Sequence, residues 1–202
     1  MNETVYEFGI EDIRYSITGQ TEVKQLGHAA SLSLTVNYTE KNKHGSNAII
    51  DILPSDLGFY GTLTMATMNP QFDIDCGRKV VLDGGVIADI PIKSLIPVSI
   101  FFKSTAKVPM EEGFTKKVWL LGCTTGAIPV ALNQTTDTVN EVEYAIPLNS
   151  IGIKLMTNDG TAEFEDARGQ TTKIRRLTSM PTDAGYATFG DSVPVPKAKA
   201  AV

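Results

Sequence analysis

The sequence has few of the residues on which catalysis and metal binding usually depend. Among 202 residues it contains two cysteines, two histidines and one tryptophan. Cys76 and Cys123 are far apart and lack CxxC spacing, so we expect free thiols rather than a disulfide. His28 and His44 have no cysteine, histidine or carboxylate at ligand spacing. The sequence therefore predicts neither a metal site nor a cofactor.

The motifs of common enzyme classes are absent as well. The sequence contains no nucleophile elbow, no phosphate-binding loop and no dinucleotide fingerprint. Carboxylates do occur two residues apart, as in Asp73 with Asp75 and Glu141 with Glu143, and such pairs can act as general acid and base. A solvated strand face explains the same spacing without any chemistry. We therefore expect that the protein is not an enzyme.

Long apolar runs and an excess of positive charge are also missing. No segment approaches the ~18 apolar residues that can cross a bilayer, and the N-terminus lacks the pattern of a secretory signal. We therefore expect synthesis in the cytosol and no membrane contact. The net charge of −5 argues against a dedicated nucleic-acid binder, although it suits a protein that lets DNA pass without binding it. Lys173, Arg175 and Arg176 cluster, but without flanking aromatic residues they favour a strand face or a subunit contact.

What the sequence does contain is alternation with a period of two. Within residues 31–38 apolar and polar side chains alternate, namely Leu32, Leu34, Val36 and Tyr38 against Ser31, Ser33, Thr35 and Asn37. This pattern is typical of a half-buried antiparallel strand. A second strand through residues 60–65 follows the polar connector KNKHGSN, which we expect to be a turn or mobile loop. Together they predict a long hairpin with one apolar face and one face rich in hydroxyl groups.

The remaining patterns predict a mainly β protein with one short flanking helix. Asn69-Pro70 predicts the start of that helix, because asparagine suits the N-cap and proline the first helical position. Asp83-Gly84-Gly85 predicts the turn of a small hairpin. We expect two packed antiparallel sheets, as a sandwich or half-barrel, within a domain spanning residues 1–180. Residues 181–202, rich in proline, alanine and lysine, are expected to form a flexible tail.

The order of these patterns resembles the major tail tube proteins of long-tailed, non-contractile bacteriophages. The matching features in chain order are FGIEDIRYSI, Gly27-His28-Ala29 before SLSLTVNYTE, YGTLTM, KVWLLGC, Pro129-Val130, TTDTVNEVEY and IPLNSIGI. The resemblance covers residues 5–156. The segment PQFDIDC matches the flanking helix of that family but is shorter and more acidic than usual. Tube proteins of contractile tails and of secretion systems are near neighbours that sequence hardly separates from this family.

The resemblance implies a structural virion protein that self-assembles into hexameric rings. In that family the rings stack into a hollow tail tube, which is the conduit for genome ejection. The partners implied are further copies of the chain together with tape measure, tail terminator and distal tail proteins. DNA would pass through the tube without specific binding. The protein would be made in the host cytoplasm and end in the tail of the virion.

Two groups of residues are candidates for this role. A water-filled channel suits polar side chains without adhesive positive charge, and the candidates to line it are Ser31, Ser33, Thr35, Asn37, Glu141 and Glu143. The two glutamates could equally lie on the outer surface. The candidates for a contact between successive rings are Lys41, Asn42, Lys43, His44, Gly45, Ser46 and Asn47.

A different class of protein also fits the β content. A non-catalytic β-sandwich module that binds or decorates a virion or cell surface would need no catalytic residues either. Such modules usually expose aromatic side chains in a recognition loop. Here aromatic residues make up 7% of the chain and mostly fall within strand patterns, which favours self-assembly.

Overall fold

The computed structural model describes residues 6–45, 48–107, 112–129 and 142–199. Within these ranges the chain is mainly β, with one short α-helix, as predicted. The strands are β1 (Tyr6–Ile17), β2 (Lys24–Gly45), β3 (Ala48–Met68), β4 (Lys79–Val81), β5 (Ile87–Asp89), β6 (Val98–Lys107), β7 (Phe114–Thr125), β8 (Tyr144–Ser150), β9 (Ile153–Lys154), β10 (Lys173–Ile174) and β11 (Arg176–Ser179). The helix, α1, covers Gln71–Asp75, and a 3-10 turn at Asp83–Gly85 joins β4 to β5, which confirms the predicted small hairpin.

Six of the described strands close into one antiparallel barrel. The sheet runs in the order β11-β7-β6-β1-β2-β3-β8, and β8 pairs with β7 again. One edge of β7 changes partner along its length, since residues 117–120 pair with β11 and residues 123–125 with β8. Gly122 lies at this switch with a φ of 58°, and a Cβ there would lie 2.5 Å from the carbonyl oxygen of Gly152. Only glycine fits this position.

The expected pair of packed sheets is therefore wrong in one respect. The strands belong to a single sheet that joins to itself through β7 and β8. Closure pairs the two ends of the sheet, although β2 beyond Gly27 pairs on one side only, with β3. Two further sheets, each of two strands, are separate from the barrel: β4 with β5, and β9 with β10.

The main hydrophobic core fills the barrel and reaches under α1. Its largest fully buried side chains are Ile13, Tyr15, Leu26, Leu63, Met65, Phe72, Ile100, Leu120 and Ile146. The ring of Phe72 meets that of Tyr15 edge-on, with centroids 4.8 Å apart. A helix of five residues is too short to persist alone in water. Burial of Phe72 and Cys76 therefore holds it in place.

The start of α1 also follows the sequence prediction. The side-chain oxygen of Asn69 accepts a hydrogen bond of 3.0 Å from the backbone N–H of Gln71. This bond satisfies one of the amide groups that a helix leaves unpaired at its first turn. The backbone N–H of Asn69 itself donates to Leu26 at 2.7 Å, which joins the start of the helix to β2.

A second cluster covers the outer face of β6 and β7. Trp119, Leu121 and Phe101 are buried there beneath residues that include Phe189. The indole N–H of Trp119 donates to the backbone carbonyl of Phe189 at 2.7 Å. The hydroxyl of Tyr186 donates to the backbone carbonyl of Thr115 at 2.8 Å. Composition predicts a flexible tail from residue 181, whereas residues 186–193 have these defined contacts. Their aromatic side chains supply the apolar surface that the alanine- and lysine-rich end lacks.

Candidate functional site

The hairpin of β2 and β3 is much longer than the barrel to which it belongs. The pairing of β1 with β2 extends no further than Gly27, and that of β8 with β3 covers residues 59–65. Past Val36, among the described strands, β2 and β3 pair only with each other, as far as Gly45 with Ala48. We call residues 37–45 and 48–58 the arm. At about 3.3 Å per residue, its eight paired positions on β2 extend about 25 Å beyond the barrel.

The polar connector is part of this arm, so the expected turn or mobile loop is wrong for most of its length. Residues 41–45 continue β2, with Lys41, Asn42 and Lys43 paired to Leu53, Ile52 and Asp51. Ser46 and Asn47 lie outside the described residues. Polar side chains are compatible with a strand here because the arm has no core, and backbone pairing rather than side-chain burial holds it.

The arm and its base expose large apolar side chains. Seven of them are between 46% and 64% exposed, namely Val36, Tyr38, Ile50, Ile52, Leu53, Leu57 and Tyr60. Cross-strand pairing places Ile52 on the opposite face of the arm from Leu53. Both faces therefore carry apolar groups. So many exposed large apolar side chains on one two-stranded element favour a surface of interaction.

An ion pair clamps the base of the arm to Arg175, which lies between β10 and β11. The guanidinium of Arg175 lies 2.6 Å from the Asp56 carboxylate and donates to the Asp56 carbonyl at 3.0 Å. The backbone N–H of Gly58 also donates to that carboxylate, at 3.1 Å. The hydrogen bond from Arg175 and then that from Gly58 lower the pKa of Asp56 from its ordinary value of 3.8. The basic cluster that the sequence left as a strand face or subunit contact thus has an intramolecular role at Arg175.

This clamp predicts a pH dependence. Because the pKa of Asp56 is lower in the folded state, its stabilisation is complete above pH 3.8 and is lost as the pH falls through the lowered value. We expect the Asp56 carboxyl, followed by nuclear magnetic resonance, to titrate below 3.8 and to move back towards it in Arg175→Gln. The control is Arg176→Gln, because Arg176 lies over the ring of Phe59. Equal midpoints in the two variants would contradict the clamp.

The hydroxyl-rich face lies on the outside of the barrel across three strands. Register places the following residues side by side: Ser31 with Thr64 and Ala145, Ser33 with Thr62 and Pro147, and Thr35 with Tyr60 and Asn149. On the opposite face of the same strands, Leu32, Leu34 and Leu63 pack into the core. Each of the nine outward residues is exposed or half-buried, and none carries a charge at neutral pH. The result is a polar, uncharged surface.

The structure brings together only part of the predicted channel lining. Ser31, Ser33 and Thr35 are exposed on the three-stranded face, and Asn37 is half-buried at the bulge where the arm begins. Glu143 is exposed just before β8, and Glu141 lies outside the described residues. Whether these residues face a channel stays a prediction. Thr62, Thr64 and Asn149 join the face only through strand register, although alternation around YGTLTM already marks the two threonines.

A second apolar surface lies on the small ribbon after α1. We call residues 79–92 the ribbon, and its large apolar side chains are between 37% and 59% exposed: Val80, Val81, Leu82, Val86, Ile87, Ile90 and Ile92. Val81 and Ile87 are cross-strand partners and share a face. The ribbon lies at the Met68 end of β3, since Met68 and Ile90 line the same cavity of about 250 Å³. The turn signal Asp83-Gly84-Gly85 predicts this hairpin, but no pattern in the sequence predicts that its apolar side chains are exposed.

The described residues offer little for chemistry. No group of three or more histidine, cysteine, aspartate or glutamate side chains within them is placed to hold a metal ion. Cys76 and Cys123 are buried free thiols, and burial raises the pKa of Cys123 to about 12, which keeps it protonated and unreactive. None of the helices in the described ranges has the length and apolar character needed to span a membrane.

Comparison with known proteins finds similar solved structures but no similar sequence family. No protein-family model matches the chain, and neither does any curated protein. Among solved structures, the chain is similar to a chain in the six-fold symmetrised cryo-EM structure of the anti-feeding prophage baseplate. The alignment covers 88% of this chain and 94% of that chain at 10% sequence identity, with a TM-score of 0.36.

Proposed function

We propose that this protein is a structural subunit that assembles with copies of itself into stacked hexameric rings, forming the tail tube of a bacteriophage. The observation that carries the proposal is the arm. A two-stranded extension with apolar side chains on both faces has no core of its own, and its outer edges are free among the described strands. Further copies of the chain would cover those faces and edges.

The contrast between the barrel and the arm supports self-assembly. Closure of the barrel pairs the two ends of its sheet, so the body is not an open sheet that aggregates at random. Among the described strands, both sides of the arm and one side of β2 beyond Gly27 are unpaired. Unpaired edges at defined positions are expected of a subunit that joins neighbours in a fixed geometry.

The hydroxyl-rich face is the proposed channel lining. Its side chains are polar and so stay wet, and they carry no charge at neutral pH, so they offer phosphates neither a lysine nor an arginine to bind. The net charge of −5 adds a mild repulsion of DNA. Such a surface suits passage of a genome without retention. The role is structural and needs neither a catalytic residue nor a cofactor.

The remaining assignments depend on the resemblance of the sequence patterns to tail tube proteins. They are incorporation into a virion tail, and contacts with tape measure, tail terminator and distal tail proteins at the ends of the tube. Of the predicted contact between rings, residues 41–45 belong to the distal half of the arm. These residues lie in the part of the arm farthest from the barrel, so the arm would contact a neighbouring ring there first.

Self-assembly is tested directly on the full chain. We expect the concentrated protein to form rings of six and stacked tubes with a central channel, seen by negative-stain electron microscopy, with masses that are multiples of the hexamer by native mass spectrometry. A protein that stays strictly monomeric at its highest soluble concentration would overturn the proposal. If that monomer also bound glycans, the alternative of a surface-binding module would replace it.

A further inference from the structure

We propose that residues 180–195 form a lid, which opens as one unit while the barrel beneath it stays folded. This inference goes beyond the proposed function, because it concerns a movement within a single subunit. The lid begins directly after β11 and lies on the outer face of β6 and β7. Opening of the lid brings to the surface an apolar face that the closed subunit hides.

The face under the lid includes two large aromatic side chains. Phe101 and Trp119 are fully buried, and Phe189 and Val193 of the lid pack against their cluster. Gly190 of the lid lies on the Phe101 ring so closely that a Cβ there would be 2.8 Å from the ring. The closed lid therefore keeps these two rings out of water, which favours the closed state.

The backbone of the lid pairs only within the lid among the described residues. The N–H of Tyr186 donates to the carbonyl of Asp183, and that of Asp191 to Thr188, each at 3.0 Å. Of all the residues in the lid, Gly190 alone is buried. A segment with so few buried residues and no strand pairing to its surroundings opens at a lower free energy than the fold as a whole.

Side chains hold the lid closed against β7. The ammonium group of Lys117 donates to two carbonyls of the lid, at 2.6 and 2.9 Å. The indole N–H of Trp119 donates to Phe189 at 2.7 Å, and the hydroxyl of Tyr186 donates to the carbonyl of Thr115 at 2.8 Å. Because a side chain forms one half of each bond, the lid can leave β7 without separating any pair of strands.

Both ends of the lid are anchored. Before it, β11 pairs with β7. After it, the backbone N–H of Met156 donates to the carbonyl of Pro196 at 2.8 Å, and the N–H of Ala198 donates to the carbonyl of Met156 at 2.9 Å. A segment held at both ends opens and closes in place, so the lid stays with its own subunit.

The two N–H groups of Trp119 test the lid in the full-length chain, at a concentration where it is unassembled. The indole N–H bonds to the lid, whereas the backbone N–H belongs to β7, where Trp119 pairs with both Phe101 and Leu177. We expect hydrogen exchange, followed by nuclear magnetic resonance, to show a roughly hundredfold lower protection factor for the indole N–H. Its protection should also depend much less on urea, because lid opening exposes little surface. Equal protection and equal urea dependence of the two groups would overturn the proposal.

A variant of the lid gives a second test. Tyr186→Phe removes the hydroxyl that donates to Thr115 and keeps the ring. The indole N–H of Trp119 should then exchange about fivefold faster, as expected for the loss of one hydrogen bond. The matched control is Tyr60→Phe, which lies outside the lid and is 46% exposed. An unchanged rate in Tyr186→Phe, or an equal increase in both variants, would overturn the lid and leave self-assembly untouched.

Discussion

Shortening the arm should leave a folded subunit that no longer assembles. Replacing residues 40–54 with an Asn-Gly turn, which joins the paired Thr39 and Ser55, removes a segment whose described side chains are all exposed. The barrel core lies elsewhere, and Asn-Gly is a favoured two-residue hairpin turn. We expect an unchanged free energy of unfolding within about 1 kcal/mol, but no tubes at any concentration at which the wild type forms them. Urea unfolding and negative-stain imaging measure the two quantities.

A matched control keeps the arm at full length. Thr39→Ser with Ser55→Thr exchanges the two hydroxyl side chains of one exposed cross-strand pair of the arm, so neither its length nor its apolar surface changes. This variant should assemble like the wild type. Normal tubes from the shortened arm would show that the arm is dispensable, and the assembly surface would then have to lie on the barrel body.

The local parts of this fold could be predicted from the sequence because short-range chemistry determines them. Alternation around Leu32 and Leu34 identified which face of β2 is buried, and Asn69-Pro70 located the start of α1. Closure of the barrel could not be predicted in the same way. It depends on β7 meeting β8, and residues 123–125 carry no local signal that specifies residues 148–150 as their partners.

The candidate site, too, could be predicted only where local sequence determines it. Alternation alone was enough to find the hydroxyl-rich face, since Ser31, Ser33 and Thr35 follow the pleat of one strand. The arm was missed because polar residues 41–45 suggest a turn, whereas pairing with Ile52 and Leu53 makes them a strand. The clamp on the arm joins Asp56 to Arg175, residues 119 apart, and no spacing rule links residues at that distance along the chain.

The anchor between the barrel and the ribbon is a buried ion pair. Asp73 and Arg78 have side chains that are 6% and 7% exposed, and Nε of Arg78 donates to the Asp73 carboxylate at 2.8 Å. The same guanidinium hydrogen bonds to the hydroxyl of Thr125 on β7 and lies 4.8 Å from the centroid of the Phe72 ring. It therefore ties the start of the ribbon both to α1 and to the barrel. Lys79, the first residue of the ribbon, reaches the other oxygen of Asp73 at 3.2 Å.

Asp73→Asn, which removes a buried charge, should be among the most destabilising single substitutions of a charged residue in the chain. It leaves the Arg78 guanidinium buried without its countercharge, a loss of about 3–5 kcal/mol, or roughly 10 °C in the midpoint of thermal unfolding for a domain of this size. Adding Arg78→Met removes the unpaired buried charge. The double variant should therefore lose clearly less stability than the sum of the losses in the two single variants.

The control is Asp89→Asn, whose side chain is 86% exposed and lies 3.7 Å from Lys79. It should lose under about 0.5 kcal/mol. Calorimetry and urea unfolding of the four variants measure these losses. If Asp73→Asn lost no more than Asp89→Asn, the ion pair would not anchor the ribbon, and apolar packing of Phe72 and Cys76 would have to hold it instead.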